Sequence, residues 1–139
     1  MKTNAQLVSD WIAGYNAHDM EKLLRNAAGG IVVDLAGGMM RFDMEAWRAH
    51  ATQEWATFTD AEFELTVIAE TADTVVCRGL WHATMLGDAA LPDGTPVAAT
   101  GRHTDLPVVF IFTAADGEIT EILGSWNSMV AMHQLGLAG

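Results

Sequence analysis

Cationic side chains are scarce in this chain: seven Lys and Arg stand against eighteen Asp and Glu, a formal net charge of −11. That balance repels phosphate backbones and anionic headgroups, so nucleic acid and membrane surfaces are poor partners. Long apolar runs are missing too. No window approaches the roughly 20 apolar residues that cross a bilayer as a helix. The stretch from Met1 to Gln6 carries one positive charge with no apolar segment behind it, so no secretory leader is expected. Cysteine occurs once, at Cys77, which excludes an internal disulfide and suits a reducing, cytoplasmic setting. No Gly-rich loop follows a strand-like run, and no nucleotide or other cofactor is expected. The five histidines (18, 50, 82, 103 and 133) show no i, i+4 pairing and no Cys cluster accompanies them, so spacing along the chain predicts no metal site.

What is present is a core. Half of the 139 residues are apolar, including eight Met and five Trp, and the length suits one domain spanning 1–139. Leu7, Val8, Trp11, Ile12 and Tyr15 fall at helical spacing between Asn4 and Asn16. Asp19 reads as the N-cap of a second helix that Gly29-Gly30 would stop, and Asp43 as the N-cap of a third carrying Trp47, Ala51, Glu54 and Trp55. A short strand, Ile31 to Leu35, and its return through Met39–Phe42 separate the last two helices. After Phe58 the period becomes that of strands: one from Phe63, a second over Val75–Leu86, a third ending in Val108–Thr113, a fourth over Ile119–Ser125. Asp93-Gly94 and Asp116-Gly117 mark turns, and Gly136 ends a last short helix that starts near Asn127. Three N-terminal helices followed by consecutive antiparallel strands predict an α+β domain, helices on one face of a curved sheet.

Several segments, in this order, resemble the SnoaL-like polyketide cyclase family of the nuclear-transport-factor-like superfamily. They are Tyr15-Asn16-Ala17-His18-Asp19, Phe58-Thr59-Asp60-Ala61 with Phe63, Thr100-Gly101-Arg102, Asp116-Gly117-Glu118-Ile119 and Gln134-Leu135-Gly136. The resemblance implies a cone of sheet and helices around one deep pocket, and cofactor-independent aldol ring closure. It also assigns proton handling to a carboxylate on the strand after the Asp-Gly-x-Ile turn, to a histidine two residues before it, and to a histidine on the preceding strand. Those positions are Gly124, Ile122 and Phe110 here. All three lack a titratable group.

Alternation puts Val108, Phe110 and Phe112 on one face of their strand. By the resemblance that face lines the pocket with Thr120, Ile122, Gly124 and Trp126, joined by Trp11 and Tyr15. The same side chains would serve equally as plain core. Four groups are candidates for chemistry. Asp19 is an N-cap, and a carboxylate at this junction also serves catalysis in similar proteins such as scytalone dehydratase. His82 resembles a histidine frequent on this strand in the family and would be a base if it faced the pocket, a hydrogen-bonded structural residue otherwise. His103 and Asp105 would face the pocket only if a bulge at Pro107 reversed the strand upstream; without it they form a surface pair and Arg102 shares the side of Val108. Asn127 matches a frequent family Asp, and either caps the last helix or hydrogen-bonds a ligand.

Two functions are compatible with these residues. One is a cofactor-independent cyclase, isomerase or lyase acting on a small apolar or aromatic, polyketide-like molecule. The other is a binding protein that kept the cavity and lost the chemistry. Val109, Ile111, Ile119 and Leu123 alternate away from the expected pocket, an apolar outer patch that predicts a homodimer through the sheet.

Overall fold

The computed structural model describes residues 2–91 and 93–137; Met1, Pro92, Ala138 and Gly139 lie outside the described residues. The chain runs α1 (Asn4–Asn16), α2 (Met20–Leu24), β1 (Ala27–Leu35), β2 (Met40–Phe42), α3 (Met44–Thr57), β3 (Glu62–Glu70) and β4 (Thr74–Thr84). A small hairpin follows, β5 (Ala89–Ala90) and β6 (Pro96–Val97), then β7 (His103–Ala115), β8 (Glu118–Trp126) and α4 (Ser128–Gln134). The main sheet has the order β2-β1-β8-β7-β4-β3. It is antiparallel except where β1 joins β8 in parallel. No helix among the described residues is long and apolar enough to cross a membrane.

Local chemistry sets the helix ends. Thr3 and Gln6 close a reciprocal capping box at α1. Asp19, Asp43 and Asn127 each accept backbone N–H groups at the starts of α2, α3 and α4, the three caps their positions predict. Helix α2 ends at Leu24, earlier than expected, because Gly29 and Gly30 sit within β1, in the irregular stretch where its register against β8 shifts between Ala27 and Val32.

The junction that carries the family-like motif is a set of ties between α1 and β3. Asn16 brackets the Phe63 backbone, donating to its carbonyl at 2.9 Å and accepting from its N–H at 2.7 Å. The His18 ring donates from Nε2 to the Ala61 carbonyl at 2.8 Å and stacks on Trp55, centroids 4.9 Å apart. Asp60 in turn accepts from the Thr84 backbone N–H at 2.8 Å and hydroxyl at 2.7 Å, fastening the start of β3 to the end of β4. These polar clamps fix how α1 lies on the concave side of the sheet. There Trp11 touches Tyr15, Trp47, Phe63, Phe110 and Phe112 in one aromatic core.

Two registers differ from strict alternation or from the bulge that would have broken it. A bulge places Thr120 as an extra residue between the pairs Ala114–Ile119 and Thr113–Glu121, with the Thr120 hydroxyl donating to the Thr113 carbonyl at 3.2 Å. It returns Ile119 to the core, where it is 2% exposed, so Ile119 does not belong to the outer patch and Thr120 does not line the pocket. No bulge occurs at Pro107, and β7 pairs with β4 without interruption from His103 to Thr113. Strand β8 pairs with β7 only from Val108 onward, so on that side Pro107 has no ladder to break.

Candidate functional site

Between the concave face of the sheet, α3 and α4 lies a cavity of about 250 Å³. Its walls are Val108, Phe110 and Leu106 from β7, Trp81 from β4, Phe63 from β3, Leu35 from β1 and Trp126 from β8. Helix α4 and the chain after it close one side with Ala131, Met132, Leu135 and Leu137. Trp47, Glu54 and Phe58, from α3 and its end, form another. Among these lining residues Glu54 is the sole titratable side chain, and Ser128 adds one hydroxyl. A second cavity of about 430 Å³, under the β5–β6 hairpin, shares Glu54, Phe58, Met132 and Leu137 with the first and adds His50.

Glu54 is held from both sides. Trp81 Nε1 donates to the Tyr15 hydroxyl oxygen at 3.0 Å, and that hydroxyl donates to Glu54 Oε2 in a very short hydrogen bond. The other carboxylate oxygen, Oε1, lies 3.4 Å from His50 Nε2, one helical turn earlier on α3. The Glu54 side chain keeps 20% of its surface accessible, enough to meet a ligand, whereas Tyr15 is fully buried. Burial pushes the Tyr15 phenol well above its usual range; the charge and hydrogen bond of Glu54 act the same way, and the Trp81 N–H opposes them. A phenol in this position stays protonated and orients the carboxylate.

That shift has a readable consequence, because Tyr15 is the chain's one tyrosine. An exposed phenol ionises near pH 10, so the unfolded chain releases this proton first as pH rises. The folded state binds it more tightly, and stability is level below about pH 10 and falls above it. Ultraviolet titration of the folded protein will therefore show no tyrosinate at pH 10, and titration in denaturant will show it. Tyrosinate appearing at about pH 10 without unfolding would mean that Tyr15 is not buried against Glu54.

The residues singled out by sequence separate into four places. Val108, Phe110 and Trp126 line the cavity. Trp11, Tyr15, Phe112 and Ile122 are packed core and do not line it, although Tyr15 reaches it through Glu54. Asp19 and Asn127 are occupied as caps, and Arg102 lies in the loop before β7 with its side chain against Gly136. His82, His103 and Asp105 are on the opposite face of the sheet from the cavity, because the uninterrupted β4–β7 register leaves Trp81, Thr104 and Leu106 facing inward. The inward alternatives, His82 as a pocket base and a His103–Asp105 pair reversed by a bulge, are corrected on that ground, and the three residues take the other alternative, a hydrogen-bonded surface arrangement.

Sequence reasoning passes over Glu54. Its one signal is an acid on the apolar stripe of α3, at helical spacing from Trp47 and Ala51. The structure also accounts for two of the three apolar positions, Phe110 and Gly124. A Cβ at Gly124 would sit 2.8 Å from Phe110 Cε1 and 2.8 Å from Leu35 Cδ2. Phe110 is the cross-strand partner of Gly124, so one aromatic ring fills the space of the side chain opposite.

Residues 8–122 match the model of the SnoaL-like domain. Solved structures share the fold along the whole chain. A candidate polyketide cyclase of Pseudomonas putida KT2440 has a TM-score of 0.82 at 20% identity, covering 97% of this chain and 99% of its own. The candidate hydroxylase AclR of Streptomyces galilaeus gives 0.79 at 20% identity, with 97% and 96% covered. IdmH of Streptomyces antibioticus, a candidate polyketide cyclase, gives 0.76 at 22% identity, with 95% and 97% covered. Identities this low speak to the fold alone. No functionally curated protein matches the chain.

Proposed function

We propose, from the premise that this chain belongs to the SnoaL-like domain family, that it transforms a small apolar or aromatic, polyketide-like molecule by cofactor-independent acid–base chemistry, with Glu54 as the base. The observation that carries this reading is a single carboxylate, aligned by Tyr15 and His50, in an otherwise apolar cavity. A flat apolar ligand would gain roughly 25 cal/mol for each Å² it buries against Phe63, Trp81, Phe110 and Trp126. Glu54 would take a proton from a carbon next to a substrate carbonyl, leaving an enolate. In an aldol closure the enolate carbon bonds to a second carbonyl carbon of the same molecule, that oxygen becomes an alkoxide, and Glu54 returns the proton to it. Ser128, on the cavity wall, would supply a hydroxyl to donate to a substrate oxygen. No metal or organic cofactor is needed for this sequence of steps, and the same base would serve an isomerase or lyase.

A binding protein is the second reading, favoured by the packed Phe110, Ile122 and Gly124 at the positions where the resemblance places proton handling. Incubation with small polyketone and hydroxyaromatic compounds separates the two. Conversion to an isomeric or dehydrated product supports the enzyme, and recovery of unchanged ligand after saturable binding supports the carrier.

The outer face of β7 and β8 presents Val109, 42% exposed, beside Ile111 and Leu123. We read it as the contact of a homodimer in a cytoplasmic protein. Light scattering at micromolar concentration is expected to give twice the 14.9 kDa chain mass, and a monomer mass would end that reading.

A further inference from the structure

On the outer face of the sheet, away from the cavity, His82 and Asp105 are direct cross-strand partners on β4 and β7, and Thr84 stands opposite His103. Asp105 and His103, two residues apart on β7, project from the same face, as do His82 and Thr84 on β4. His82 Nδ1 lies 2.6 Å from Asp105 Oδ1, and His103 Nε2 lies 2.8 Å from the same oxygen. One point in space is thus approached by two imidazole nitrogens and a carboxylate. We propose that His82, His103 and Asp105 are the ligands of one divalent transition-metal ion, with zinc(II) the ion that this donor set suits.

The hydrogen bonds on the far sides of the two rings carry the argument. Thr84 has one hydroxyl hydrogen, and it is given to Asp60 Oδ2 at 2.7 Å. Its oxygen, 2.7 Å from His103 Nδ1, must therefore accept from that ring. A neutral His103 then has its proton on Nδ1 and turns the Nε2 lone pair toward Asp105. His82 stands between two carboxylates, Nδ1 2.6 Å from Asp105 Oδ1 and Nε2 3.2 Å from Glu64 Oε2, and with its proton on Nε2 toward Glu64 it turns the Nδ1 lone pair toward Asp105. Two lone pairs and an anionic oxygen converging on one point repel unless positive charge lies among them. A single divalent cation supplies it.

The surroundings match what metal-bound histidines have elsewhere. Each ring has an outer partner, Glu64 for His82 and the Thr84–Asp60 pair for His103, and the Thr84 oxygen fixes for His103 the tautomer that ligation requires. Ligation at about 2.0–2.1 Å asks the three donors to part by less than about 1 Å from their hydrogen-bonded spacing. His103 and Asp105 are 46% and 57% exposed and free to make that adjustment. Glu64, Asp60 and the chain's net charge of −11 add attraction for a cation. Three protein ligands leave the remaining positions to solvent or to a small anion.

The test is calorimetric titration of chelator-stripped protein with zinc(II) at neutral pH, for the wild type, H103A and D105N, each checked for folding by near-ultraviolet circular dichroism. The wild type should take up one equivalent saturably, and both variants should bind at least about tenfold more weakly. T84V, which keeps all three ligands and removes only the oxygen that orients His103, should also weaken binding about tenfold. No saturable uptake by the wild type, or a loss smaller than tenfold in either ligand variant, overturns the site and leaves the cluster as a hydrogen-bonded surface network.

Discussion

Glu54→Gln will lower kcat by about 100-fold or more on any substrate the protein turns over, the usual scale for loss of a positioned general base. The side chains are close in shape, and the amide oxygen still accepts from the Tyr15 hydroxyl, so the chain Trp81–Tyr15–residue 54 keeps its polarity and direction. What disappears is the ability to take a proton. Ligand affinity should change by no more than a few-fold, since the cavity wall is apolar apart from this group and Ser128. Stability should move little for the same reason. The phenol supplies an internal control. Part of the upward push on Tyr15 comes from the charge and hydrogen bond of Glu54, so its titration should shift downward in the variant while burial keeps it above the ordinary range. A variant that shows this shift and keeps full turnover would remove Glu54 from the chemistry. The wild-type comparison separates that outcome from the carrier reading, in which no product forms at all.

The reason this residue escapes sequence reading is physical. Glu54, Tyr15 and Trp81 come from α3, α1 and β4, the first two 39 positions apart in the chain and Tyr15 and Trp81 66 apart. Nothing in the local pattern around Glu54 distinguishes it from a solvated helix acid until the helices dock. What local chemistry decides is legible: the caps at Asp19, Asp43 and Asn127, the helical period of α1, the alternation along β7 that buries Val108, Phe110 and Phe112. What depends on register is not. The same pairing that sends Trp81 inward sends His82 outward, and one bulge at Thr120 moves Ile119 from the outer patch to the core. Spacing within the chain could not assemble His82 with His103 and Asp105, because their proximity belongs to the pairing of two strands.

Restoring an acid where the resemblance places one should fail on its own. Gly124→Asp is expected to destabilise the protein by about 4 kcal/mol or more, combining overpacking with a buried carboxylate that has no partner. The space beyond Gly124 already belongs to Phe110 Cε1 and Leu35 Cδ2, each 2.8 Å from where a Cβ would stand. Gly124→Ala isolates the steric part and should cost about 1–3 kcal/mol. Shortening the opposing ring should relieve it. In a double-mutant cycle of Phe110→Leu with Gly124→Ala, the glycine substitution should cost less once the ring is gone than it does in the wild type, by at least about 1 kcal/mol. Equilibrium urea unfolding reads all of these. A Gly124→Asp protein as stable as the wild type would mean that the ring of Phe110 yields easily and that the β8 wall has room for a carboxylate. If the coupling is found, the apolar residues Phe110 and Gly124 are one change rather than two: the aromatic ring occupies the space beside β8, and the titratable side chain that lines the cavity comes instead from α3, as Glu54.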